Sequence, residues 1–273
     1  MIAAGHSIDA VLKDTRLDAV DRRVLLMHAL ALTRVQLITQ SDRTLNLAEA
    51  QHLSTLFQRR IDGEPVAYIV GEREFFGLAF QVTPAVLIPR PDTELLVELA
   101  LDLLPDHARL LDMGTGSGAI AVAVACNRSD AHITALDVSA PALLVAQHNA
   151  SRHRATVTFL QSDWYGALGD QCFDLIVANP PYIVAHDTHL AQGDLRFEPI
   201  DALTDHADGL SAVRTIVAGA PRHLVAGGVL LMEHGYDQAA AVRDLLVVGG
   251  FTHVQSWRDL AGIERVSGGT WPG

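Results

Sequence analysis

From residue 91 onward, strand-length apolar runs alternate with longer stretches of helical periodicity, and this alternation restricts the chain more than any other feature. Strands are expected at 109–113, 132–137, 156–161, 173–178 and 229–233, with 251–258 and 264–268 closing the sheet. Helices are expected at 91–104, from the turn after 113 to 127, and at 140–151, 210–223 and 237–248. Strands separated by helices in this way predict an α/β domain around a mostly parallel sheet.

Residues 1–70 have a different pattern and read as helices alone. Ser7 caps a helix to Lys13, residues 17–32 carry one apolar stripe, Asn46 caps a long helix to Ile61 that Gly63 ends, and a short helix follows over 65–70. The expected product is a small helical bundle. Residues 75–82 read as strand or hairpin, and prolines at 84, 89 and 91 mark extended chain. Three parts are therefore expected: a helical domain 1–72, a hairpin and extended linker 73–90, and a sheet domain 91–273.

Charge separates the parts further. Residues 1–72 hold 8 basic and 9 acidic side chains, and residues 73–273 hold 12 and 23, a net −11. Such an acidic region argues against tight generic binding to nucleic acid. Lys13 is the only lysine, which removes Schiff-base chemistry and a Walker-type phosphate lysine from the sheet domain. The longest apolar run, 119–126, is far short of a membrane span, and the first seven residues carry no secretory pattern, so a cytoplasmic protein with no membrane association is expected. Cys126 and Cys172 both lie in apolar-looking segments, and two buried free thiols are expected. Histidines such as His186 and His189 lack a companion Cys or carboxylate cluster, so no metal site is expected.

Two motifs carry chemistry. The first is the turn after the 109–113 strand, Gly114-Thr115-Gly116-Ser117-Gly118, where glycines let the backbone bend sharply and let a ligand approach main-chain N–H groups. Asp137 lies 23 residues after Gly114, at the end of the next strand, where a carboxylate can accept from both ribose hydroxyls of a nucleotide cofactor. The same residues also satisfy the dinucleotide pattern G-x-G-x-x-G/A, and glycines here can serve helix–strand packing alone.

The second motif is Asn179-Pro180-Pro181-Tyr182, directly after the buried 173–178 strand and expected at the same sheet edge as the glycine turn. The prolines fix φ and supply no N–H, while their carbonyls and the Asn179 side-chain oxygen accept. Two acceptors on a rigid turn match an NH2 group whose lone pair is to be aimed at an electrophile, with the Tyr182 ring stacked on its flat face. Catalysis of that kind is positioning and electrostatics. An ordinary Asn-Pro turn is the plain alternative, because that dipeptide is common in turns.

The glycine turn, Asp137 and the 179–182 tetrad resemble those of class I S-adenosylmethionine-dependent amino-methyltransferases. Residues 73–77 (Arg-Glu-Phe-Phe-Gly), 87–94 (Leu-Ile-Pro-Arg-Pro-Asp-Thr-Glu), 161–164, 192–199 and 231–235 narrow the resemblance to the peptide chain release factor glutamine methyltransferases, the PrmC or HemK family, over essentially the whole chain. The resemblance implies a Rossmann-like methyltransferase domain behind an all-helical N-terminal domain. It implies methylation of the side-chain amide nitrogen of the glutamine in the Gly-Gly-Gln motif of release factors, a step tied to translation termination. It implies cofactor contacts from Gly114, Thr115, Gly116, Ser117, Gly118, Asp137, Trp164 and Asn179, and substrate contacts from Asn179, Pro180, Pro181 and Tyr182, with Asn179, Pro180 and Tyr182 catalytic.

Several roles stay open at this level. Trp164 can pack against adenine or sit in the core, Arg90 can pair with a carboxylate or touch a ligand, and Glu233 and His234 favour structural roles at a strand end. The competing function is an adenine-N6 methyltransferase acting on DNA or RNA, which needs phosphate contacts that a lysine-free acidic region does not offer. An inert nucleotide-binding module, or a nicotinamide dehydrogenase, leaves the tetrad unexplained. Residues 1–72 carry none of the cofactor motifs and are expected to dock the protein substrate.

Overall fold

The computed structural model describes residues 2–273, which fall into two compact units, one ending at Glu72 and one spanning Arg73–Gly273. The first holds α1 (Ile8–Leu12), α2 (Ala19–Leu30), α3 (Arg34–Thr39), α4 (Leu47–Ile61) and α5 (Val66–Val70). Side chains of Ser7, Asp18, Thr33 and Asn46 cap the first four, and Thr33–Gln36 and Asn46–Glu49 form reciprocal capping boxes. Ile8, Leu25, Leu26, Leu37, Leu53 and Phe57 form a core of this unit. The six-residue α3 was not anticipated: its apolar pattern is too short to register, although the Thr33–Gln36 capping pair marks its start.

A hairpin begins at the boundary between the units, β1 (Glu72–Phe75) and β2 (Leu78–Gln81), and the second unit continues with a 3-10 turn over Pro91–Thr93 and α6 (Glu94–Leu103). Then come β3 (Arg109–Met113), α7 (Ala119–Asn127), β4 (His132–Asp137), α8 (Ala140–His153), β5 (Val157–Gln161) and β6 (Phe173–Ala178). A long segment containing the short α9 (Ile200–Leu203) leads to α10 (Ser211–Gly219), β7 (Leu224–Glu233), α11 (Ala239–Val248), β8 (Thr252–Arg258) and β9 (Glu264–Thr270). Seven strands form one sheet in the order β5-β4-β3-β6-β7-β9-β8, parallel except for β9, which runs antiparallel to both neighbours.

The sheet is Rossmann-like and buried on both faces. Leu110, Leu175, Val177 and Leu231 pack with α6 and α7 residues on one side, and Leu111, Ile176, Leu230 and Met232 pack with α10 and α11 on the other. This period of two explains why β3 and β6 read as nearly continuous apolar runs. The cysteines correct the sequence expectation. Cys126 is exposed and Cys172 only half-buried, because the last turn of α7 runs beyond the sheet that covers Ala119–Val124 and because Cys172 precedes its strand.

Asn149 on α8 ties the hairpin to the strand–helix layer. Fully buried, it accepts from Gln81 N at 2.7 Å and donates to the carbonyls of Gln81 at 3.0 Å and Ser117 at 2.8 Å. Asn149→Ala strands three backbone groups and is expected to cost about 2–4 kcal/mol, read as a lowered midpoint in chemical denaturation at unchanged slope.

Candidate active site

The chain runs from β3 outward to β4 and β5, then returns to place β6 on the other side of β3, so the strand order reverses between β3 and β6. Ligands bind in the crevice at such a reversal, outside the carboxyl ends of the strands. Met113 pairs with Ala178, so the glycine turn and the Asn179 tetrad leave adjacent strand ends.

The glycine turn is drawn tight by its own amides. Gly114 and Thr115 N–H both donate to Leu136 O at 2.9 Å, and Gly118 N–H donates to Thr115 O at 2.8 Å. Gly114, Gly116 and Gly118 all take left-handed φ, which L side chains rarely adopt. A Cβ at Gly114 or Gly116 would enter open space, whereas one at Gly118 would meet Ala146 at 3.1 Å, so the third glycine serves helix packing.

Two carboxylates shape this turn. Asp112 is fully buried and accepts from Thr115 Oγ1 at 2.6 Å and Ala121 N at 3.2 Å. Burial outweighs these bonds and pushes its pKa up to about 7. Asp137 accepts from Gly116 N and Ser139 N, each at 2.9 Å, and burial raises its pKa against those bonds.

Above the turn lies a cavity of about 270 Å³, whose lining includes Gly114, Gly116, Asp137, Trp164, Asn179, Pro180 and Pro181. Trp164 takes φ of 46°, a conformation costly for an aromatic residue, and Ser162 Oγ donates to its carbonyl at 2.7 Å. Thr115 and Ser117 do not line the cavity. Both are buried and directed into the fold, the first bonded to Asp112 and the second accepting Asn149 through its carbonyl. Gly118 is likewise outside the lining.

A smaller cavity of about 70 Å³ adjoins, lined by Leu87, Arg90, Asn179, Pro180, Tyr182, Ile183, Leu195, Ala202 and Leu203. Asn179 and Pro180 therefore wall both cavities, Pro181 only the larger and Tyr182 only the smaller. The Tyr182 phenol is held well above its ordinary pKa, first by burial and then by Glu233, and stays neutral. Arg90 pairs with Glu198, whose buried carboxylate also accepts from Ile88 N at 2.9 Å, fixing the proline-rich segment along the small cavity.

Sequence reasoning assigned no role to Thr93, yet its Oγ1 accepts from Asn179 Nδ2 at 3.1 Å across 86 residues of chain. Its only sequence signal was its place in the Pro-Arg-Pro-Asp-Thr segment. Glu233 is buried beside Asn179 and Tyr182, while burial lowers the pKa of His234, which is bonded to Ser267 Oγ at 2.7 Å and Gly235 O at 2.9 Å. No group of three or more His, Cys, Asp or Glu side chains suited to a metal occurs among the described residues, and no helix among them is long and apolar enough to cross a membrane.

Comparison with known proteins covers most of the chain. Residues 91–195 match the methyltransferase small domain family and residues 7–71 match the PrmC N-terminal domain family. The release factor glutamine methyltransferase of Burkholderia pseudomallei is 55% identical over 272 residues, covering 96% of this chain and 95% of the relative. That of Escherichia coli is 45% identical, covering 92% and 91%. A methyltransferase from Pyrococcus furiosus, at 18% identity, shares the fold with a TM-score of 0.57 over 81% of this chain and 99% of its own.

Proposed function

The chain belongs to the release factor glutamine methyltransferase family, and on that premise we propose that it transfers a methyl group from S-adenosylmethionine to the side-chain amide nitrogen of the glutamine in the Gly-Gly-Gln motif of peptide chain release factors. One observation carries the chemistry: a larger nucleotide-type cavity and a small pocket meet at Asn179 and Pro180. A donor held in one and an NH2 group held in the other face each other across those two residues.

The larger cavity fits the donor. Asp137 presents a carboxylate beside backbone left open at Gly114 and Gly116, and Trp164 offers a flat apolar face. In this reading Asp137 holds the ribose, Trp164 packs on adenine, and the glycine turn follows the methionine part. S-adenosylmethionine supplies a methyl group made electrophilic by its sulfonium sulfur. The residues of this chain bind, orient and exclude water.

The small pocket takes the glutamine side chain. Its amide nitrogen is a poor nucleophile because the lone pair is delocalised into the carbonyl. Asn179 Oδ1 accepts one N–H and the Pro180 carbonyl the other, which aims the lone pair at the methyl carbon. The neutral Tyr182 ring packs against the flat amide, and Arg90, occupied by Glu198, holds the pocket wall. No strong base is required before transfer: the N–CH3 bond would form as the sulfonium S–CH3 bond breaks, the electron pair would stay on sulfur in departing S-adenosylhomocysteine, and the nitrogen, acidic only once alkylated, would release its proton to solvent to restore the neutral amide. These are contributions of preorganised electrostatics and orientation.

Asp137→Ala is expected to lose about 1.5–3 kcal/mol of S-adenosylmethionine binding in calorimetry, with the fold intact. Unchanged affinity removes Asp137 from the cofactor site. Asn179→Ala is expected to lower turnover by about 10²–10³ with cofactor affinity nearly unchanged, and Tyr182→Phe to be milder than Tyr182→Ala, as measured by methyl incorporation located by mass spectrometry.

Specificity for one glutamine among many requires surface beyond the pocket, because remote binding energy must supply the discrimination. Residues 1–72, which contribute nothing to either cavity, are the proposed docking domain, and the acidic remainder favours a partner with a basic face. Residues 73–273 alone are expected to keep S-adenosylmethionine binding and lose most methylation of intact release factor. Equal activity after truncation refutes docking, and preferential methylation of duplex DNA by the full chain refutes the assigned substrate.

A further inference from the structure

Glu233 ends β7, is 2% exposed and lines neither cavity, yet it interacts with Asn179, one of the four residues the two cavities share. Thr93 and Asn179 both stabilise its charged form by side-chain hydrogen bonding. Its Oε2 has no partner, so half its acceptor capacity goes unused inside the protein. A buried carboxyl so poorly satisfied weakens the fold; Gln or Leu would serve packing better.

The hydrogens around it run one way. Asn179 Nδ2–H donates to Thr93 Oγ1 at 3.1 Å, which leaves the Thr93 hydroxyl proton free to point at Glu233. A carboxylate only accepts, so it fixes the sense of this chain. The carboxamide of Asn179 has two nearly isosteric ends. Only with nitrogen inward does its oxygen face the pockets, and flipped, it would present N–H to the N–H of an incoming amide.

Resting on the reading of this chain as a glutamine amide methyltransferase, we propose that ionised Glu233, acting with Thr93, is a positioning residue that locks the Asn179 carboxamide with its oxygen towards the substrate amide. Protonated Glu233 can itself donate to Thr93, the sense of the chain is no longer imposed, and Asn179 loses its fixed orientation.

The surroundings make Glu233 the group that titrates here. Burial lifts its pKa to about 7, aided by Asp92 in the 3-10 turn and opposed by Arg265 on β9, which pairs with Asp92 at 3.2 Å and Asp259 at 3.3 Å. Tyr182 is raised away from this range, and burial lowers the pKa of His234, the next residue on the chain, below its ordinary value. Asp112 also sits near 7, but behind the glycine turn, so a variant at Glu233 separates the two.

The test uses the full-length protein, S-adenosylmethionine and purified release factor between pH 6 and 8.5. Wild-type kcat is expected to fall below about pH 7, approaching tenfold per unit. Glu233→Gln should lose that acidic limb and lower kcat at pH 8 on the order of tenfold, with KM for S-adenosylmethionine unchanged. It should melt no lower than wild type at pH 8. The wild-type carboxyl has a folded pKa above its ordinary value, so its ionisation penalises folding increasingly as pH rises through about 4.5 to 7. Thr93→Val should reproduce the kcat loss and Thr93→Ser restore it; this pair decides the matter if Glu233→Gln fails to fold. Wild-type kcat and an intact acidic limb in Glu233→Gln, or full kcat in Thr93→Val, overturn the inference. A wild-type protein that leaves the release factor glutamine unmodified overturns the underlying reading instead.

Discussion

The parallel pairing of β3 with β6 is the constraint on which the rest depends. It brings Gly114 and Asn179, 65 residues apart in sequence, to neighbouring strand ends through the register Met113↔Ala178. Connections leave those two strands in opposite directions, and the gap between them becomes the larger cavity. The pairing is held from both sides. Leu110 and Leu175 face one helical layer and Leu111 and Ile176 the other, so a slip of one residue would exchange every core side chain between layers. A site whose work is orientation needs walls of this rigidity, because small misplacements of reacting groups cost rate steeply.

Much of this was legible in the sequence because its signals are local. Strand–helix alternation, the capping residues Ser7 and Asn46, and the glycine turn each write their structure within a few residues. The tetrad is also local, and its place at the end of β6 beside the glycine turn follows from the strand pattern alone. What escaped depends on distant partners. Thr93 gains meaning only when Asn179 arrives beside it, and Glu198 only when Arg90 and Ile88 reach it across more than a hundred residues. Cys126 looked buried because its neighbours are apolar, but burial is set by where the helix outruns the sheet.

The glycine turn shows how a motif divides its labour in ways a pattern cannot express. Gly114 and Gly116 face open space and leave backbone available, while Gly118 permits α8 to approach and Thr115 and Ser117 turn inward. Five consecutive residues thus serve cavity lining, helix packing and internal bonding. The resemblance assigned all five to the cofactor; geometry leaves two of them on the cavity wall.

The same economy recurs one layer deeper. Three buried side-chain N or O atoms among the described residues lack a partner, and two of them are Asp112 Oδ1 and Glu233 Oε2. Both carboxyls lie at or next to the carboxyl ends of parallel strands, both are pushed to about 7 by burial, and each sits by a threonine that braces one of the two motifs: Thr115, bonded to Asp112 in the glycine turn, and Thr93, bonded to Asn179 and acting on Glu233. A buried acceptor is expensive for stability, and a fold shaped by stability alone would replace it with an apolar side chain. What a carboxylate provides is direction: it cannot donate, so every hydrogen bond ending on it has a fixed sense. Asp112 accepts from Thr115 Oγ1 and Ala121 N beneath the glycine turn, and Thr93 accepts from Asn179 Nδ2 beside Glu233, where the two cavities adjoin. Each of the two motifs is thus backed by a buried acceptor that lines neither cavity, and the stability lost there is exchanged for turns whose donors and acceptors are fixed in advance.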